Sequence, residues 1–244
     1  MKRSQNVFAV CSMFLLVIGI LITSVQIAVY GDPGYRFYQK EYEKYKVTET
    51  LGMDIEDVMD VTDYMMDYLI GKEDKLSIVT NVDGREQDFF NEQDRLHMED
   101  VKHLFLGGLK IRNIVWTGAV MILLILVLKK AELRRLLFRA YSVALCVFLG
   151  VLAVLGTAFF IDFTACFTIF HKIFFTNELW LFDPATDYMI RMLPEGFFSD
   201  MAARIATVFA GLLFAVWGLL FLWKLLGERK VNNQKNDADI RQVH

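Results

Sequence analysis

The chain has 244 residues, 55% of them hydrophobic and 14% aromatic, with a formal net charge of −3. That balance fits a small polytopic membrane protein with soluble mass attached, and it gives nucleic acid no basic surface to bind. Cys11, Cys146 and Cys166 lie in or beside apolar runs with no CxxC spacing, which excludes a disulfide frame or a cysteine zinc site and reads as packed or lipid-facing thiols.

The chain begins with Lys2 and Arg3 and then runs apolar from Val7 to Tyr30. A stretch of that length suffices to cross about 30 Å of hydrocarbon, and a cleaved signal peptide would be shorter and end in small residues. Residues 1–30 are therefore expected to form a retained first transmembrane helix. Residues 31–104 change character, being rich in Asp, Glu and Tyr, and form a small α+β subdomain. Within it the spacing predicts a helix over 35–51 and a second over 54–70, ended by Gly71. LSIVT and EQDFF flank Asp83-Gly84 and predict a hairpin over 75–90, after which Asn91 opens a helix leading into the second span. That span covers 105–128. Lys129, Lys130, Arg134, Arg135 and Arg139 mark a basic loop over 129–139, and the third span covers 140–161.

The stretch Thr168–Phe198 then joins two apolar segments while carrying His171, Asn177, Glu178, Asp183, Asp187, Arg191 and Glu195. Polar groups so close to lipid are costly unless partnered or used, so this stretch, within an outer interfacial loop and helix over 162–204, is the expected functional centre. Asp183 with Pro184 predicts the start of a short helix, Pro194 its end, and Ser199 or Asp200 the cap of the fourth span over 205–226. Trp180, Phe182, Tyr188, Phe197 and Phe198 fit an interfacial aromatic belt. The tail over 227–244 is polar and includes Arg229, Lys230, Lys235, Arg241 and an idle His244. Basic residues at the amino end, the 129–139 loop and the tail put both termini in the cytoplasm and both polar regions outside. The fold class is thus a mainly α membrane protein with four transmembrane helices and a small extracellular α+β subdomain between the first two.

His97 and His171 fall at the outer interface although 74 positions separate them, and neutral imidazole is the commonest general base near neutral pH. Asp100, three residues beyond His97 on a helix, would share its face and orient the ring. The plainer alternative is a set of interfacial histidines hydrogen-bonded to headgroups or to one another. His97 and His103 are six residues apart and do not share a helical face, and HExxH is absent, so no metal ligand set is read. GxSxG and SxxK are absent, and the apolar surroundings of Cys166 favour an inert thiol. Gly107-Gly108 stands without phosphate-loop spacing, so no cofactor is implied.

RLHMEDVKHLF over 95–105, with FHKIFFTNELWLFDPATDYMIRMLPEGFF over 170–198, resembles the lipoprotein intramolecular transacylases, four-helix membrane enzymes of Gram-positive bacteria. Over 35–90 the likeness is one of layout only. The resemblance implies that the sn-2 acyl chain of a diacylglyceryl-modified cysteine moves to that cysteine's own α-amino group, giving an N-acyl lyso-lipoprotein. It further implies that His97 and His171 are catalytic and that diacylglyceryl lipoproteins and outer-leaflet lipid are the partners; the lack of a nucleophile motif points to direct attack by the substrate amine, without a covalent acyl-enzyme. Asp100, Asn177, Asp183 and Arg191 are expected in supporting roles, with Asn177, Arg191 or a backbone amide as oxyanion donor. A non-enzymatic sensor or metal-binding membrane protein with an acidic outer domain is the competing reading.

Overall fold

A computed structural model of the chain describes residues 3–129 and 131–242, with side chains through Arg229. Lys2, Lys130 and His244 lie outside the described residues, as do the side chains of Lys230, Lys235 and Arg241. The elements in order are α1 (Arg3–Tyr30), α2 (Arg36–Lys44), α3 (Val47–Leu51), α4 (Ile55–Leu69), β1 (Val79–Val82), β2 (Arg85–Asp88), α5 (Glu92–Leu128), α6 (Leu133–Ile161), α7 (Phe163–Phe174), α8 (Tyr188–Met192) and α9 (Glu195–Gln242). Among the described residues α1, α5, α6 and α9 are long and apolar enough to cross a membrane. In α5 the apolar run is the later part. Residues 92–104 carry Glu92, Asp94, Arg95, Glu99, Asp100 and Lys102, more charges than a membrane-crossing run holds.

The chain divides into two compact units. One comprises residues 1–24, 112–154 and 206–244. Its core is built from small and large side chains of α1, α5, α6 and α9, among them Ala9, Met13, Val17, Leu126, Tyr141, Ala144 and Leu213. Polar groups inside it are satisfied internally, as an apolar surround demands: the Ser12 hydroxyl donates to the Ala119 carbonyl at 3.1 Å and the Tyr141 hydroxyl to that of Leu213 at 2.9 Å.

The other unit comprises residues 25–111 and 155–205 and holds the predicted chemistry. Its core gathers Tyr42, Leu51, Val58, Met66, Val82, Phe89, Phe90, Met192 and Phe197. The Tyr42 hydroxyl is fully buried and shares a 2.7 Å hydrogen bond with Thr62. The hairpin turn is the expected one. Asp83 and Gly84 both have positive φ, 51° and 75°, as a two-residue type I′ turn needs, with Val82 opposite Arg85.

Five local expectations are corrected. The helix over 35–51 is two helices, because Lys46 adopts φ 54° and turns the chain so that Val47 and Leu51 enter the core. The hairpin strands are shorter than the flanking motifs: past Asp88 only the Phe89 N–H still bonds across, to the Ile78 carbonyl at 2.9 Å, and Phe89 and Phe90 turn into the core. Arg134, Arg135 and Arg139 belong to the opening turns of α6, not to a loop, because helix resumes at Leu133. Asp183-Pro184 does not start a helix: the Asp183 carboxylate accepts from Ala185 N–H and closes a turn, and helix begins only at Tyr188. The last helix begins directly after Pro194, so Ser199 and Asp200 lie inside it, and the Asp200 carboxylate instead accepts from Lys44 and from the Tyr45 hydroxyl. Within the outer segment over 162–204, α7 is a 12-residue helix capped by Asp162, whose carboxylate accepts from Ala165 N–H at 2.8 Å.

Candidate active site

α5 supplies His97 one and a half turns from its start. That start is fixed by a reciprocal cap: Asn91 N–H donates to Asp94 Oδ2 at 3.0 Å, and Asp94 N–H donates to Asn91 Oδ1 at 2.9 Å. α7 supplies His171 in its last turn. The two rings are nearly parallel, 27° apart with centroids 6.1 Å apart, and both are buried, at 6% and 7% exposure.

The surroundings of the two rings differ. His171 Nδ1 lies 2.7 Å from the Phe167 carbonyl, one turn back along α7. A carbonyl only accepts, so Nδ1 carries the proton and Nε2 keeps its lone pair, which makes this ring a base. Trp180 stacks on it at 4.9 Å, and Phe167 lies tilted against it at 4.2 Å. His97 meets the edges of Phe175 and Phe182 at 5.2 and 5.3 Å, and its buried Nδ1 has no hydrogen-bond partner among the described residues. Burial lowers the pKa of His97 to about 4, helped by the neighbouring His171 and opposed by Asp100. Burial also lowers that of His171, against the hydrogen bond to Phe167. Both rings are therefore neutral at pH 7.

They open on an apolar cavity of about 310 Å³ walled by residues such as Met65, Met66, Leu69, Met98, Phe197 and Met201. A cavity of that size and lining suits a hydrocarbon chain.

The supporting residues divide. Asp100 and Asn177 are brought together: Asn177 Nδ2 donates to Asp100 Oδ2 at 2.8 Å, joining α5 to the loop after α7. Asn177 also accepts from the Trp180 indole through its carbonyl at 3.0 Å, so it fixes the ring that covers His171. Asp183 is spent on its own turn. Arg191 is not beside the imidazoles; it lies over Tyr188, donates to the Thr50 carbonyl and pairs with Asp83 at 3.8 Å. His103 is exposed, and Cys166 sits five residues from His171, well round the helix.

Sequence reasoning missed the network behind His97. Asp187, 4% exposed, accepts from Asn91 Nδ2 and from Asp183 N–H, each at 2.6 Å. Asp94 is fully buried, and its carboxyl is pushed up to about 6 by burial, against the Asn91 N–H and with the aid of Asp187. It also missed the Phe167 carbonyl, which follows from i−4 spacing once 163–174 is read as helix. Among the described residues no three His, Cys, Asp or Glu side chains converge as a metal site.

Two neutral imidazoles thus border an apolar cavity, on a chain with four helices long and apolar enough to cross a membrane. The family model for "Lipoprotein intramolecular transacylase Lit" matches residues 10–198, and the chain belongs to that family of multi-pass membrane enzymes. The chain is similar in fold to the membrane integral lipoprotein intramolecular transacylase Lit from Bacillus cereus, with 22% identity and a TM-score of 0.76 over 94% of this chain and 100% of that one. Two further structures of that protein, each with one histidine replaced, match at 22% identity with TM-scores of 0.68 and 0.69, over 91% and 92% of this chain and 96% and 95% of theirs. No curated protein matches in sequence.

Proposed function

We propose that the protein moves the sn-2 acyl chain of a diacylglyceryl-cysteine lipoprotein to the α-amino group of the same cysteine. The observation that carries this is the pairing of His97 and His171 at the mouth of the apolar cavity. An amine and an ester held on one headgroup need a base and proximity, and no enzymic nucleophile. The apolar surround also favours the uncharged amine, the form that attacks.

His171 Nε2 takes the amine proton as the amine nitrogen bonds to the ester carbonyl carbon. The resulting imidazolium gives that proton to the glycerol oxygen as the C–O bond breaks, so the ring ends as it began. His97, kept neutral, contributes a ring N–H to the oxyanion. Asp100 and Asn177 position the loop that carries Trp180 against His171. The scheme uses no metal and no cofactor.

In this reading residues 1–30, 105–128, 140–161 and 205–226 cross the membrane, residues 129–139 and 227–244 are cytoplasmic, and 31–104 and 162–204 face outward with the site. The distribution of basic residues supports that orientation. The substrate's hydrocarbon reaches the cavity from the outer leaflet.

The test is mass spectrometry of a tester lipoprotein's amino terminus in cells with and without the protein. An N-acyl lyso product is expected only with it, and its absence would sink the transacylase reading. His171→Ala is expected to slow transfer by about 10²–10⁴-fold, the usual worth of a general base. A non-enzymatic sensor would leave the tester lipoprotein unchanged in every case.

A further inference from the structure

Away from the imidazoles, residues 131–135 and the facing turn of α9 line a cleft of about 720 Å³. It is lined by Arg134, Arg135 and Lys224, against Glu132 and Glu228, with Trp223 and Leu133 as apolar walls. Arg135 is neutralised by Glu228 at 3.1 Å. Arg134 and Lys224 have no carboxylate partner among the described residues. Each is held on an aromatic face instead, Arg134 over Trp223 at 5.6 Å and Lys224 over Phe138 at 5.0 Å.

Gly227 completes the seat. A Cβ at that position would meet the Arg134 guanidinium where it now lies against the α9 backbone, so the Arg134 side chain would have to shift to make room. The Trp223 ring holds the guanidinium without cancelling its charge. A planar guanidinium of this kind suits a phosphate, which it can bind through two N–H groups at once. The cleft adjoins the ends of the apolar runs of α6 and α9, where lipid headgroups lie, and Trp is the residue favoured at that depth.

We infer that this cleft binds the phosphodiester headgroup of an anionic phospholipid, with Arg134 as the oriented ligand, Lys224 as the second charge and Trp223 against the glycerol end. Scattered basic residues that merely follow the charge bias of membrane loops would need neither the glycine seat nor the aromatic supports.

The inference is independent of the transacylase reading, and native mass spectrometry of the purified protein in detergent tests it. Phosphatidylglycerol and phosphatidylcholine of matched chains are offered together. The wild type is expected to retain the anionic lipid by about thirtyfold over the zwitterionic one, the size that two juxtamembrane cations together give. Arg134→Gln lowers that preference about fivefold. Gly227→Ala lowers it several-fold although no charge changes, and the added Ala favours the helix, so folding is kept. Equal retention of the two lipids by the wild type overturns the site. Full preference in Gly227→Ala reduces it to unspecific charge and overturns the oriented ligand. Displacement of the bound lipid by excess inorganic phosphate overturns the lipid as occupant in favour of a free anion.

Discussion

His97 allows a test that needs no substrate. Its folded pKa is about 4, below the 6.5 of a free ring, because burial disfavours the imidazolium. As pH falls through 6.5 the unfolded chain takes up a proton that the folded chain refuses, so stability is lost on acidification. Integrated from pH 7 to pH 5, the loss for this one group is about 2 kcal/mol. For a chain of 244 residues that is a fall in melting temperature of roughly 4–8 °C. Asp94 works in the opposite sense. Its pKa is raised to about 6, so the folded state binds a proton sooner than the unfolded one and gains about 1 kcal/mol over the same window. His97→Phe isolates the first effect, because it keeps an aromatic ring against Phe175 and Phe182 and leaves Asp94 and His171 in place. Thermal unfolding in detergent at pH 7 and pH 5 is the assay. The wild type is expected to lose about 4–8 °C more than the variant; equal losses would refute a ring held neutral by burial.

Asp187→Ala removes a buried carboxylate that accepts from both Asn91 and Asp183, and chemical unfolding should show a loss of about 1–3 kcal/mol. A double-mutant cycle on Asp100→Ala and Asn177→Ala should return a coupling of about 0.5–1.5 kcal/mol, at the low end since the bond is exposed. Trp180→Leu takes away the ring stacked on His171 and should slow conversion of a tester lipoprotein roughly tenfold while the unfolding temperature barely moves. Met192→Ala opens a hole in a fully buried position of the outer core and should cost about 2–5 kcal/mol in denaturant titration.

The long apolar runs were legible because length and hydropathy alone specify helices fit for a membrane. The hairpin turn was legible because Asp-Gly favours the positive φ angles that a type I′ turn requires. The interfacial stretch was harder. In 163–174 Thr164, Thr168, His171 and Lys172 recur at i, i+4, i+7 and i+8, but the segment is short and follows almost directly on an apolar span, so its helix merges with that span and the partner of His171 Nδ1 stayed hidden with it. Asp183-Pro184 looked like a helix start, but Asp and Pro also favour tight turns, and the Asp187 carboxylate folding back on Asp183 N–H decided between them. Arg191 looked available as an oxyanion donor because charge near lipid suggests use; its partners lie 141 and 108 positions back, at Thr50 and Asp83, beyond any local rule. The pairing of His97 with His171 came from placing both at one interface, whereas their nearly parallel stacking is a product of three-dimensional packing.

The unbroken course of α5 has a mechanical consequence. Thirty-seven residues make a rod about 55 Å long, and His97 rides near one end of it. A tilt of only 5° about a point 30 Å away would carry the ring roughly 3 Å, when a misplacement of about 1 Å already slows catalysis a hundredfold. The rod is accordingly lashed along its polar end. Asn91 ties to Asp187, Gln93 to the carbonyls of Leu179 and Leu181, Arg95 to Asp88 and the Leu76 carbonyl, Asp100 to Asn177, and Lys102 to the Glu73 carbonyl. Hairpin, helices and interfacial loop together act as guy-ropes on a mast, keeping the His97 ring still while the bilayer around its base thickens, thins and flexes.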